Sequence, residues 1–68
     1  MAYKNAIATE VRQLIKDAPD GYSEYVLEHF VQQDVADTVN AIRSEYPGDT
    51  LQETDVYMTG TAPVCINK

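Results

Sequence analysis

The 68-residue sequence predicts a mostly helical α+β protein with three short helices followed by a small C-terminal β-hairpin or extended arm. Apolar residues recur at helical spacing through roughly the first two thirds of the chain. Proline and glycine interrupt this pattern after the first predicted helix and again after the third. β-branched and aromatic residues then gather in two short runs near the C-terminus. We expect all of these elements to form a single domain over residues 1–68.

The first predicted helix covers about residues 3–18. Its apolar residues fall at positions i, i+4, i+7, i+8 and i+11, which is the spacing of one stripe on a helix. These residues are Ile7, Val11, Leu14, Ile15 and Ala18. Pro19 and Gly21 follow directly, and neither residue continues a helix at low cost. The chain should therefore begin with an amphipathic helix that ends near Ala18.

Residues 22–46 contain neither proline nor glycine, so one long helix and two shorter helices are both compatible with their composition. The direction of the apolar stripe decides between them. At about 100° per residue, the apolar residues before and after Asp34 point in directions that differ by roughly a third of a turn. Asp34 is also suited to cap a new helix at this break. We therefore predict two helices, over residues 22–32 and 35–46.

The last twenty residues favour extended structure. Val56–Thr59 and Val64–Ile66 are β-type runs, and the segment between them, residues 60–63, contains the glycine and proline that are typical of a hairpin turn. A two-stranded hairpin is only marginally stable by itself, so it must pack on the helices or on a partner. We predict a β-type tail over residues 56–66, as a small hairpin or an ordered extended arm.

Three helices followed by a hairpin resemble the element order of winged helix-turn-helix domains. In this resemblance, residues 35–46 take the place of the recognition helix. The resemblance implies an alternative function, in which the protein is a DNA-binding transcriptional regulator. Its phosphate contacts would then be Lys4, Arg12, Lys16 and Lys68.

The formal net charge of −6 is unevenly distributed and argues against that alternative. Residues 1–16 have a net charge of +2, residues 17–58 of −9 and residues 59–68 of +1. Binding to nucleic acid depends on cations that neutralise phosphates. A third helix that carries Asp34 and Asp37 would be repelled from a phosphate-lined groove. We therefore expect no direct binding of nucleic acid.

The acidic residues allow three interpretations. They form a solvated face that keeps the protein soluble, they complement a basic surface on a protein partner, or they imitate the phosphates of nucleic acid. We favour a small non-catalytic protein-binding regulator or inhibitor, encoded by a phage or other mobile element, that acts on a basic nucleic-acid-binding protein. The candidate contact residues are Asp20, Glu24, Tyr25, Glu28, Asp34, Asp37 and Tyr57.

Tyr25 is the first aromatic candidate for a contact, because it lies in sequence beside Glu24 and Glu28. Tyr22 and Tyr25 cannot both point to the apolar side of the predicted second helix, so at least one of them should be exposed. Tyr57, in the tail, is the second candidate. The alternative is that these tyrosines only cover a small core.

No catalytic, metal or cofactor site is expected, so we predict that the protein is not an enzyme. His29 is the only imidazole and Cys65 the only thiol, and nothing in their spacing indicates that they come together as a cysteine enzyme would require. One histidine and one cysteine cannot build a zinc site. Asp17, Asp20 and Glu24 lack the alternating oxygen ligands of a calcium loop.

Cysteine content and hydropathy suggest where the protein resides. A single cysteine excludes an internal disulfide, and secreted chains of this size usually carry several cysteines. The N-terminus lacks a basic region followed by an apolar stretch. No apolar run approaches the roughly 20 residues that span a bilayer. We expect a cytoplasmic protein without membrane contact, and because a core this small is marginal, a homodimer remains open.

Overall fold

A computed structural model describes residues 3–68, which fold into two helices and a two-stranded antiparallel sheet. This confirms the predicted α+β class. The elements, in chain order, are α1 (Asn5–Asp17), β1 (Tyr22–Tyr25), α2 (Gln32–Ile42), a 3-10 turn (Arg43–Glu45) and β2 (Val64–Asn67). The predicted domain also included Met1 and Ala2, which lie outside the described residues.

Helix α1 confirms the first predicted helix. Its buried face consists of Ile7, Ala8, Val11 and Ile15. The helix ends at Asp17 because the backbone of Ala18 is extended, with φ −64° and ψ 143°. A proline disfavours the helical conformation of the residue before it, so Pro19 accounts for this end.

The predicted helix over residues 22–32 is wrong. Residues Tyr22–Tyr25 form strand β1, residues 28–30 form a turn, and only the last residue of the predicted helix belongs to α2. The strand alternates in burial, with Tyr22 and Glu24 exposed and the two residues between and after them half-buried. Aromatic side chains suit such a half-buried strand. Its partner β2 lies some forty residues away in sequence, beyond the reach of a local helical pattern.

Helix α2 and the 3-10 turn together occupy most of the predicted helix over residues 35–46. The helix begins earlier than predicted, since Val31 is its N-cap residue and the Val35 N–H donates to the Val31 carbonyl at 3.1 Å. Asp34 therefore lies in the first turn instead of capping the helix, where its charge favours the positive helix end. The extended backbone of Tyr46 ends the helical segment just before a proline.

The predicted C-terminal hairpin does not form. The Gly60 N–H donates to the Tyr57 carbonyl at 2.8 Å and the Tyr57 N–H to the Thr61 carbonyl at 2.9 Å, so residues 57–61 close a tight loop. Gly60 permits this loop because it adopts a positive φ of 79°. The chain then continues as β2, which pairs with β1 in place of residues 56–59.

The observed order is thus helix, strand, helix, strand, and the winged-helix-like order is wrong. Strand β2 is central, because it pairs with β1 on one side and Leu51 forms a bridge with Ile66 on the other. Apolar residues of both helices, of β2 and of the loops share one buried cluster. None of the helices in residues 3–68 is long and apolar enough to cross a membrane.

Two amide side chains hold the irregular segments against this core. Gln32 Nε2 donates to the Leu27 and Phe30 carbonyls at 2.9 and 3.1 Å, and its Oε1 accepts from the Ala62 N–H at 2.8 Å. Asn40 exchanges two hydrogen bonds with the backbone of Thr54, at 2.8 and 3.1 Å. Gln32 therefore joins the loop after β1 to the loop before β2.

Candidate protein-interaction surface

Strand β1 and the residues on either side of it present an alternating surface to solvent. The even-numbered side chains from position 20 to position 28 are all exposed, whereas the odd-numbered residues between them are half-buried or buried. This surface, here called the β1 surface, consists of Asp20, Tyr22, Glu24, Val26 and Glu28. Three carboxylates thus alternate with two apolar side chains along β1 and the residues that flank it.

Tyr22 and Glu24 are held in place by contacts with Cys65 on β2. The register places Glu24 opposite Cys65 on the outer face of the sheet. Tyr22 Oη lies 3.0 Å from Glu24 Oε2 and 3.3 Å from Cys65 Sγ, and the sulfur lies 3.7 Å from the same carboxylate oxygen. Hydrogen bonds with Cys65, and secondly with Glu24, raise the pKa of the Tyr22 phenol. The phenol therefore stays a neutral hydrogen-bond donor at neutral pH.

Tyr22, and not Tyr25, is the exposed tyrosine of this segment. Tyr25 lies opposite Val64 and packs half-buried against the core, whereas Tyr22 is 60% exposed. Strand alternation, with a period of two, decides which side chain points outward here. Tyr22 and Val26 are the members of the β1 surface that the sequence analysis did not single out as contact residues. If a strand had been predicted here in place of a helix, its alternation would have placed Tyr22 and Val26 on the same side as Glu24.

The other predicted contact residues lie on different parts of the molecule. Asp34 and Asp37 are half-exposed in the first two turns of α2, where Asp37 accepts a hydrogen bond from Gln33 at 3.0 Å. Tyr57 is exposed in the tight loop, beside the fully exposed Met58. The fold therefore places Asp20, Glu24 and Glu28 on β1 and the residues that flank it, whereas Asp34, Asp37 and Tyr57 belong to other segments.

A second group of exposed apolar residues lies beside the segments that Gln32 joins. Val31 is 65% exposed just before α2, and Tyr57 and Met58 are exposed in the tight loop. Exposed apolar side chains mark contact sites where they form a contiguous patch, and of these three only Tyr57 and Met58 are neighbours in the chain. Sequence analysis missed Val31 and Met58.

Most of the cations in the described chain are bound to oxygen atoms of the same chain. Arg12 forms a bidentate pair with Glu45, with Nε–Oε1 and Nη2–Oε2 distances of 3.0 and 2.7 Å. This pair raises the pKa of Arg12 and lowers that of Glu45. Arg43 lies 3.4 Å from Glu53. Lys68 Nζ donates to the carbonyl of Ala18 at 2.8 Å.

The β1 surface shows no such neutralisation. Among residues 3–68, the ion pairs use Glu10, Glu45 and Glu53, and none uses a carboxylate of the β1 surface. The acidic members of this surface are therefore free to interact with an external cation. A carboxylate without a cation of its own chain retains its full negative charge, so it can attract a basic partner.

His29 and Cys65 are not brought together. His29 Nε2 lies 3.0 Å from the Glu10 carboxylate on α1, whereas Cys65 is buried beneath Tyr22 and Glu24. Within residues 3–68, no group of three or more histidine, cysteine, aspartate or glutamate side chains is arranged to hold a metal ion. No pocket opens on the surface of the same residues.

Comparisons with known proteins assign this chain to no family. No protein-family model, no curated protein and no solved structure matches it. Functional inference therefore depends on the geometry and the charge of the surface described above.

Proposed function

We propose that this protein is a small non-catalytic regulator or inhibitor that binds a protein partner through a basic surface of that partner, such as a nucleic-acid-binding protein offers. One observation carries the proposal: three unpaired carboxylates alternate with exposed Tyr22 and Val26 on the β1 surface. Carboxylates accelerate the encounter with a basic partner and select against acidic ones. The apolar side chains supply contact area that is lost from water on binding.

The geometry of Tyr22 supports a role as the anchor of such an interface. Tyrosine is enriched at protein interfaces because it combines a large apolar ring with a polar end. Here the polar end is already fixed by Glu24 and Cys65, at 3.0 and 3.3 Å. A side chain that is ordered before binding loses less conformational entropy when the complex forms.

Two of the four cations that a DNA-binding regulator would use are already engaged. Arg12 is held by a carboxylate and Lys68 by a backbone carbonyl of the same chain. With a formal net charge of −6, the remaining two cations offer little attraction for phosphate. These observations favour a protein partner over DNA.

The test is an affinity capture from bacterial lysate with the purified protein as bait, washed at about 50 mM and about 500 mM salt. The wild type should retain a basic protein at low salt and release it at high salt. Glu24→Gln with Glu28→Gln should retain less of the same protein. The matched control, Asp49→Asn with Glu53→Gln, changes the net charge equally on a different segment and should retain as much as the wild type.

Two results would contradict the proposal. Retention of nucleic acid that weakens steeply with salt would support the DNA-binding alternative. Equal losses in the two double variants would mean that only the total charge matters, and that the β1 surface is a solvated face.

A further inference from the structure

Strand β1 has one open edge. On the far side of β2, the Gln52 N–H donates to the Cys65 carbonyl at 3.1 Å and the Asn67 N–H to the Thr50 carbonyl at 2.9 Å. Both sides of β2 are thus occupied, by β1 and by the segment around Leu51. β1, in contrast, pairs with β2 alone within the described sheet.

The hydrogen-bond pattern shows which backbone groups lie on this open edge. Gly21 and Lys68 exchange two hydrogen bonds, of 2.9 and 3.1 Å. Residues of an antiparallel strand alternate in the direction of their backbone groups, so Ser23 and Tyr25 also face β2. The N–H and C=O groups of Tyr22 and Glu24 therefore point away from the sheet.

We infer that this open edge binds an extended, lysine- or arginine-bearing segment of the partner protein as an additional β-strand. The inference rests on the proposed function and identifies how the partner is recognised. Main-chain hydrogen bonds at a sheet edge supply affinity, and alternate side chains supply specificity. The residues whose backbone groups are free, Tyr22 and Glu24, are also those whose side chains form the centre of the β1 surface.

Charge identifies the occupant. Directly opposed side chains on paired strands lie about 4.5–5.5 Å apart, close enough for a lysine or arginine to meet Glu24. Asp20, in the bend before β1, and Glu28, in the turn after it, add negative charge near the two ends of this edge. A second copy of this chain would instead bring two equally acidic edges together, which is unfavourable. A basic extended segment is therefore favoured over self-pairing.

The β1 edge also lacks devices that commonly protect exposed edges. Natural proteins often place lysine, proline or a bulge on such strands. Tyr22–Tyr25 contains neither lysine nor proline, and its four residues pair with β2 in an unbroken register. Its short length and the negative charge of Glu24 are the protections that β1 does have, and the charge acts against acidic or neutral strands more than against a basic one.

The test uses a nine-residue peptide of alternating lysine and valine, with binding followed by fluorescence anisotropy at about 50 mM salt. Two further peptides of the same charge carry backbone N-methyl groups at every second residue. One peptide is methylated at its odd-numbered residues and the other at its even-numbered residues. Only one edge of an added strand faces β1, so methylation in one phase should weaken binding about tenfold or more and methylation in the other phase should have little effect.

Amide hydrogen exchange provides the second readout. In the free protein, the amides of Ser23 and Tyr25 should be protected and those of Tyr22 and Glu24 should exchange rapidly. Saturation with the unmodified peptide should slow exchange at Tyr22 and Glu24 about tenfold or more. Protection of these two amides is specific to strand addition, because purely electrostatic binding would not require it.

The outcomes separate this inference from the proposed function. If all three peptides bind equally and Tyr22 and Glu24 stay unprotected, strand addition is wrong but an acidic surface that attracts basic proteins is retained. If no peptide binds and the lysate capture also yields no basic protein, both the inference and the proposed function fail.

Discussion

Helix α1 and the β1 surface differ in how many of their charged side chains have a partner in the described chain. On α1, Arg12 is neutralised by a bidentate contact with Glu45, and Glu10 lies 3.0 Å from His29. On the β1 surface, three carboxylates face solvent without a cation from the described chain. Surface ion pairs contribute little stability, so their absence from β1 costs the fold little. The β1 surface thus keeps its carboxylates and outward backbone groups free, whereas Arg12 and Glu10 of α1 already have partners in the same chain.

The largest expected effect comes from removing the support beneath the β1 surface. Ile66 is fully buried in central strand β2, so Ile66→Ala should lower the free energy of unfolding by about 2–5 kcal/mol and Ile66→Val by about 0.5–1.5 kcal/mol. Urea denaturation measures both. Val31→Ala, at a residue that is 65% exposed, is the control and should change stability by less than about 0.5 kcal/mol.

Equal effects of Ile66→Val and Val31→Ala would contradict the assignment of β2 as the buried centre of the sheet. The graded pair of Ile66 substitutions keeps this test informative because the smaller change should leave the protein folded.

A smaller effect is expected at the thiol beneath the β1 surface. Cys65 is buried, with Tyr22 Oη at 3.3 Å from its sulfur. Tyr22→Ala should uncover the thiol and raise its rate of reaction with an aromatic disulfide reagent about tenfold or more. Tyr22→Phe keeps the ring as a cover and should react nearly as slowly as the wild type. Similar rates in all three proteins would show that Tyr22 does not shield Cys65.

The smallest expected effects are changes of stability with pH. The Arg12–Glu45 pair should lose its contribution to stability in acid, and Tyr22 should lose its contribution in alkali. The Arg12 contact lowers the pKa of Glu45 below its ordinary 4.5, so its contribution is present above that value and is lost as pH falls through the folded pKa. Hydrogen bonds raise the pKa of Tyr22 above 10.0, so its contribution is present below that value and is lost as pH rises through the folded pKa.

Thermal denaturation of three proteins from about pH 3 to pH 11 checks both signs. The difference in Tm between wild type and Arg12→Gln should shrink in acid, and the difference between wild type and Tyr22→Phe should shrink in alkali. Salt should reduce the first difference because that pair is exposed. Differences that stay constant with pH would contradict the contacts assigned to these groups.

Elements that depend on local sequence patterns could be predicted from the sequence, and those that depend on distant partners could not. The stripe from Ile7 to Ala18 and the proline after it indicate the position of α1 from local sequence alone. Residues 22–32 were predicted wrongly because Tyr22–Tyr25 becomes a strand only when Val64–Asn67 lies beside it. The same pairing exposes Tyr22 in place of Tyr25. The acidic members of the β1 surface were predicted because charged residues remain exposed in either conformation.

The association rate of the captured basic partner tests the central claim most directly. Stopped-flow measurement at about 50 mM salt should show association about 3- to 10-fold slower for Glu24→Gln with Glu28→Gln than for the wild type. The matched variant, Asp49→Asn with Glu53→Gln, should associate at the wild-type rate. Equal rates for all three proteins would contradict the claim that the β1 surface recognises the partner.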